Sequence, residues 1–311
     1  HVSVLVEPKR LKEGLFERFN DPNISINKLS KREVYKFFKK SDLSKLKGVM
    51  VTTCGKLLEG LDYEQCFKYF NPTISKDKIF LVEHKAKDAV DNASWREKNI
   101  TLKKLDYKNA SSVAVNPHYF GQDIKFSPKN KEKVNFVTIG AIRDRKKNTN
   151  EIIDSVETLH KKGITDFKIT VIGKGHINNI PKDLRKYFDI KGRLPFSKMY
   201  DEIEKGDFIL TSYDDNNPQH TRYIQYQTSG NFQLVYGFLK PIVLIKSFGK
   251  INSFNEENSI LYDSPNDLAK ALEKGIKMTE DEYLKMQNNL KKTVETIYNE
   301  SLKNLKGLIN G

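Results

Sequence analysis

Four cations crowd one short turn of this sequence. Gly140-Ala-Ile-Arg-Asp-Arg-Lys-Lys-Asn148 carries Arg143, Arg145, Lys146 and Lys147 directly after the apolar run Val134 to Ile139. A loop leaving the carboxyl end of a strand is where open α/β sheets bind ligands, and cations there suit an anion. A solvated basic turn has the same composition. A second stretch, Gln227-Thr-Ser-Gly-Asn-Phe-Gln233, puts small residues just before the apolar Phe232, Leu234 and Val235. Thr228 or Ser229 then caps a helix, and the backbone N–H groups around Ser229, Gly230 and Asn231 are free for a phosphate. A plain helix cap is the commoner use of the same residues. Cations and helix-end amides together suit a bound phosphate.

Other motifs carry less. Gly173-Lys-Gly175-His-Ile-Asn178 follows an apolar run but has Asn178 where a dinucleotide fingerprint wants its third glycine. No GxxxxGK[ST], HExxH or GxSxG pattern is present. The six histidines are scattered, and Asp214-Asp215-Asn216 reads first as a turn, so no metal site is expected. Glu83-His84 leaves a strand toward a cleft between two domains, which makes His84 a candidate base or hydrogen-bond donor as well as an ordinary strand-end residue. His118, between Pro117 and two aromatics, reads as packing.

These residues need a scaffold of alternating strands and helices. In the first part the candidate strands are Val2 to Val6, Ile24 to Ile26, Gly48 to Thr52, Lys78 to Val82 and Ser112 to Val115. Between them Arg32 to Lys39 reads as a helix with Val34, Phe37 and Phe38 on one face. The polar stretch Gly121 to Lys133 reads as a linker. A second series follows: Val134 to Ile139, Phe167 to Ile172, Phe208 to Thr211 and Pro241 to Ile245. Asn148 with Glu151 looks like a capping pair, and so does Thr279 with Glu282, which opens a terminal segment bearing Leu284, Leu290, Val294 and Ile297. The expected fold class is α/β, two Rossmann-like domains facing a cleft, 1–125 and 126–280, with a helical segment, 281–311, that can pack back on the first.

Composition bounds the function classes. The 311 residues include 54 Lys and Arg against 40 Asp and Glu, a net +14 whose field favours nucleic acid, anionic lipid headgroups or a phosphorylated substrate. No run of about 18 apolar residues occurs, so no membrane-spanning helix is expected. Two cysteines, Cys54 and Cys66, make neither a disulfide framework nor a four-ligand zinc site, which fits a cytoplasmic location.

Across residues 134 to 275 the chain resembles the group 1, family 4-like nucleotide-sugar glycosyltransferases of the GT-B type. The resemblance rests on Gly140 to Asn148, Val171-Ile-Gly-Lys-Gly175, Ile190-Lys-Gly-Arg-Leu194, Gly206-Asp-Phe-Ile-Leu-Thr-Ser212, Thr228-Ser-Gly230, Gly237-Phe-Leu-Lys-Pro-Ile-Val243 and Asn258-Ser-Ile-Leu-Tyr262, in that order. It implies that Arg143 and Lys147 neutralise the diphosphate of a sugar donor, that Ser229, Gly230 and Asn231 cradle it, and that Arg193 and Leu194 hold the nucleobase. Gly140, Gly173 and Thr228 would line the same site, with His220 beside the donor sugar. The family's pair of glutamates eight positions apart falls near Tyr226 and Leu234, neither acidic, and leaves Gln233 or Asn231 for the ribose.

The expected activity is therefore transfer of a sugar from a nucleotide donor, such as a UDP- or GDP-sugar, to a hydroxyl of a glycan or lipid-linked glycan. No metal or other cofactor is needed, and the basic surface would serve association with an anionic membrane. A non-enzymatic nucleic-acid-binding protein ranks below it for want of a recognisable binding module. A sugar-nucleotide epimerase of the same fold is the remaining alternative.

Overall fold

A computed structural model describes residues 1–52, 70–91, 99–105, 107–108, 112–121, 126–140, 149–175, 177 and 180–310. The chain divides into two compact units: unit 1 comprises His1–Gly121, Gln225–Thr228 and Ile297–Gly311, and unit 2 comprises Gln122–Ile224 and Ser229–Thr296.

Unit 1 begins with β1 (Val2–Val6), α1 (Pro8–Lys12), β2 (Ile24–Lys28) and α2 (Lys31–Lys40), and β1 and β2 form a parallel pair. A four-stranded parallel sheet follows, β3 (Val49–Val51), β4 (Ile79–Glu83), β5 (Ile100–Thr101) and β6 (Val113–Ala114), with α3 (Ala86–Asp91) after β4. Successive side chains of a strand point to opposite faces, and β4 uses both. Ile79 and Leu81 join Leu43, Val49 and Ile74 in one buried cluster, while Phe80 and Val82 join Ile100 and Leu308 in another. In α2 Phe38 packs on the first cluster, but Phe37, expected on the same face, is 39% exposed. The half-buried apolar positions are Val34 and Phe38, four residues apart, a stripe narrower than the three apolar positions predict. The peptide at 225–228 is held by unit 1, where Ala86 N–H donates to the Tyr226 carbonyl at 3.1 Å.

Unit 2 carries β7 (Val134–Ile139), α4 (Thr149–Lys161), β8 (Phe167–Ile172), β9 (Phe188–Gly192), α5 (Phe196–Glu204), β10 (Phe208–Leu210), α6 (Pro218–Gln225, its last residue already in unit 1), α7 (Gly230–Phe238), β11 (Ile242–Ile245), β12 (Ile260–Tyr262) and α8 (Leu268–Lys277). Its six strands are all parallel, in the order β9-β8-β7-β10-β11-β12. Numbered from β7, that is the 3-2-1-4-5-6 order of a doubly wound nucleotide-binding sheet, with its switch point between β7 and β10. Every residue of β7 is buried, as a strand covered by helices on both faces requires. The polar Asn135 within it is matched, accepting from Thr170 Oγ1 at 2.7 Å and donating its N–H to Asp207 Oδ2 at 2.7 Å.

Gly121, the first residue of the expected linker, belongs to unit 1, and residues 126–133 belong to unit 2. Asn130 N–H donates to Asp207 Oδ1 at 2.9 Å, and Lys129 Nζ donates to the carbonyls of Gly275 and Ile276 at the end of α8. The terminal segment is one helix, α9 (Glu280–Asn310). Its start is a capping box: Thr279 N–H donates to Glu282 Oε2 at 2.8 Å and Glu282 N–H to Thr279 Oγ1 at 3.3 Å. Tyr283, Met286, Gln287 and Leu290 face inward, whereas Leu284 is 43% exposed, since the buried stripe runs one residue ahead of it. The end of α9 belongs to unit 1, where Ser301 Oγ accepts from Asn116 N–H at 3.0 Å and Asn304 Nδ2 donates to the Ala114 carbonyl at 2.9 Å.

Candidate functional site

The carboxyl edge of the unit 2 sheet is where its helices begin. Gly140 follows β7, Gly173 follows β8 and Gly192 closes β9, joined by Gly140 N–H to Ile172 O at 2.9 Å and Gly173 N–H to Gly192 O at 2.8 Å. A Cβ on Gly173 would collide with the Gly140 carbonyl, and its φ of +157° is one that other residues rarely adopt. The structure thus brings Gly140 and Gly173 together and explains Gly173 by backbone packing. The next segment, 141–148, lies outside the described residues, and with it Arg143 and Lys147.

The start of α7 is built from below. Ser229 is its N-cap, in extended conformation, with Oγ accepting from Asn231 N–H at 3.3 Å, so the cap is Ser229 and not Thr228, which belongs to unit 1. Tyr213 OH lies 2.6 Å from Ser229 Oγ and accepts from Asn231 Nδ2 at 3.3 Å. Burial holds the Tyr213 phenol well above its usual pKa, so this support stays neutral. The side chains of Ser229, Asn231 and Gln233 are therefore buried in or under the helix. Gly230 is different: it is exposed, and among the described residues a Cβ built on it would meet nothing within 4 Å. Among these residues the first turn of α7 is filled beneath and open at Gly230.

The loop after β10 backs this turn. Thr211 Oγ1 donates to the Val243 carbonyl at 3.0 Å, and Ser212 Oγ is buried without a hydrogen-bond partner among the described residues. His220, on α6, is 1% exposed, and its Nδ1 accepts from Asp214 N–H at 3.0 Å. That bond puts the ring hydrogen on Nε2 and makes His220 the brace of the 211–217 loop. Asp214 and Asn217 side chains accept from Asn216 and Gln219 N–H groups, which makes this stretch a turn.

Glu151 was expected to close a capping pair with Asn148, itself outside the described residues. The carboxyl instead points into the protein, accepting from Tyr262 OH at 3.1 Å. Burial, with the charge of Asp214 adding, pushes its pKa up to about 8. Nothing in the spacing of the sequence pointed to this residue, because the same pattern also describes a surface cap.

Arg193 and Leu194 lie on the loop between β9 and α5, at the same carboxyl edge, Arg193 exposed and Leu194 half-buried. In unit 1, His84 follows β4, and its Nε2 meets the Thr52 carbonyl at 2.6 Å. A carbonyl only accepts, so Nε2 carries the hydrogen and Nδ1 is the nitrogen able to take a proton. Among the described residues, no group of His, Cys, Asp and Glu could hold a metal ion, and no helix is long and apolar enough to cross a membrane.

No protein-family model and no curated protein sequence matches the chain. Among solved structures it is similar to a mutant of S. aureus TarM in complex with Fondaparinux, alpha-GlcNAc-glycerol and UDP, with a TM-score of 0.50 at 14% identity over 75% of this chain and 51% of that one. A second TarM structure gives 0.49 at 15% identity over 75% and 50%. The C-terminal domain of a glycosyl transferase group 1 family protein (LpcC) from Francisella tularensis gives 0.38 at 17% identity over 53% and 86%. The chain spans about half the length of TarM. Its six parallel strands in doubly wound order, and the likeness to TarM at this low identity, place it in the mixed α/β, Rossmann-like fold class of the GT-B glycosyltransferases.

Proposed function

We propose that unit 2 binds the diphosphate of a sugar nucleotide and that the protein transfers the sugar to a hydroxyl of a glycan or lipid-linked glycan. The observation that carries this reading is the open first turn of α7 at the switch-point edge, capped by Ser229, braced by Tyr213 and left bare at Gly230. Helix-start amides and the positive end of the helix dipole attract phosphate oxygens. Arg143 and Lys147, in the loop after β7, supply the balancing charge, with no metal required. Arg193 and Leu194 take the nucleobase; the side chains of Asn231 and Gln233, expected at the ribose, are buried with the helix and are not assigned that contact. UDP bound to a TarM of the same fold supports a uridine nucleotide as the first donor to test.

In the reaction the bond between the anomeric carbon and the phosphate oxygen breaks, and the nucleoside diphosphate leaves with the electron pair. The acceptor oxygen bonds to the same carbon, and its proton passes to a base. His84 Nδ1 is the candidate for that base. The basic surface, at net +14, would hold the enzyme near anionic headgroups that carry such acceptors.

A thermal-shift panel of UDP-, GDP- and dTDP-sugars tests the reading. A bound donor at 100 times its Kd adds about 2.7 kcal/mol of stability. Arg143→Ala and Lys147→Ala should each remove most of the shift while leaving the unliganded melting temperature within a few degrees. A protein that no sugar nucleotide stabilises would not be this transferase.

A further inference from the structure

Two residues able to cap a helix stand side by side before α7, Thr228 and Ser229, and Ser229 is the one that does so. Local preference separates serine from threonine at a cap by little. The cap bond itself, from Asn231 N–H to Ser229 Oγ at 3.3 Å, is long for its kind. The short contact comes from Tyr213, whose hydroxyl lies 2.6 Å from Ser229 Oγ and accepts from Asn231 Nδ2 at 3.3 Å. Its ring packs against His220 and Tyr223 of α6, Phe232 of α7 and Phe248 after β11, with centroids 5.2 to 6.1 Å apart. A hydroxyl carried on a ring locked by packing fixes the oxygen it pairs with.

We propose that Tyr213 is a positioning residue that sets where α7 begins: its hydroxyl pairs with Ser229 rather than Thr228, which puts Gly230 at the first helical position, in the path of a phosphate approaching the helix-start amides. This role rests on the reading of unit 2 as a donor site. Were Thr228 the cap, Ser229 would take that first position, and its side chain would stand where Gly230 has none. The free N–H groups of the first turn would then belong to residues shifted by one, about 100° round the helix axis. Tyr213 itself stands just after β10, at the switch-point edge, so the choice of cap is tied to the sheet and not left to the two neighbouring hydroxyls.

The test is calorimetric binding of UDP-glucose, GDP-mannose and dTDP-glucose to the whole chain. Tyr213→Phe keeps the ring and its packing and removes only the hydroxyl; it should raise Kd roughly three- to tenfold, the worth of one buried hydrogen bond. Tyr236→Phe is the control, because Tyr236 lies on the same helix and its buried hydroxyl donates to the Asn252 carbonyl at 2.6 Å. It should lower the melting temperature about as much and leave Kd unchanged. Ser229→Ala probes the same choice without touching the core and should weaken binding as Tyr213→Phe does. A double-mutant cycle isolates the choice of cap: in a Thr228→Val background, where the competing hydroxyl is gone, Tyr213→Phe should raise Kd by less than about twofold. Wild-type affinity in Tyr213→Phe or in Ser229→Ala, an equal loss in Tyr236→Phe, or the same loss with and without Thr228→Val overturns the role of Tyr213 and leaves the donor site standing. Failure of the wild-type protein to bind any of the three sugar nucleotides overturns both together.

Discussion

Glu151 and Glu282 stand at the same place in the same sequence pattern, three residues after a residue of a capping type and in the first turn of a helix, and meet opposite fates. Glu282 closes a capping box on the surface, and the Thr279 N–H and hydroxyl hold its carboxyl below the usual range. Glu151 turns inward to Tyr262, and burial holds it far above that range. One acid is a local device and the other a tertiary one. The start of α7 makes a third case: Ser229 is consumed by its own helix and by Tyr213, and among the described residues no atom lies within 4 Å of a Cβ built on Gly230. A capping pattern says that a helix begins; what the first turn does depends on what lies above and below it.

The largest test of that contrast is stability against pH. Between about pH 4.5 and pH 8 the folded protein holds a proton on Glu151 that the unfolded chain releases, so stability falls as pH rises through this window, by a few kcal/mol at most. Glu151→Gln should remove this fall and be more stable than wild type at pH 8 in denaturant titrations. Glu282 runs the other way: its contribution is present above about pH 4.5 and is lost as pH falls through its lowered folded pKa.

Next in size is Gly230→Val. Among the described residues no atom lies within 4 Å of the added Cβ, so folding free energy should change by under about 1 kcal/mol, while the donor-induced shift of about 2.7 kcal/mol disappears. A variant that melts early without ligand, or one that still binds, would erase the distinction between α7 and an ordinary capped helix. Smallest is Thr279→Ala, which removes the sealed cap of α9 and should cost about 1 kcal/mol without touching donor binding. Thermal melts with and without a sugar nucleotide measure both effects.

The bounds of β7 and β8 were legible because each is a six-residue apolar run fully or nearly buried between helices. Three strands were not. β5 has only Ile100-Thr101 after the polar Asn99, β12 only Ile260 to Tyr262 after Asn258-Ser259, and β9 is an edge strand whose Phe-Asp-Ile-Lys-Gly is only partly buried. Within the site, the α7 cap could be narrowed to Thr228 or Ser229 from residue type. The choice between them depended on Tyr213, sixteen positions away from Ser229 in the chain. His220 was legible as polar and near the donor loop, but its burial came from the turn it supports through Asp214.

Local chemistry alone settled where this chain alternates between strand and helix, where cations gather and where a helix can begin, since propensity, periodicity and capping act over a few neighbouring residues. Strand order, the backbone contact that requires glycine at 173, the inward turn of Glu151 and the open face of Gly230 were decided only when distant segments met. Burial and hydrogen-bond competition depend on which groups share a volume, and spacing along the chain does not encode that.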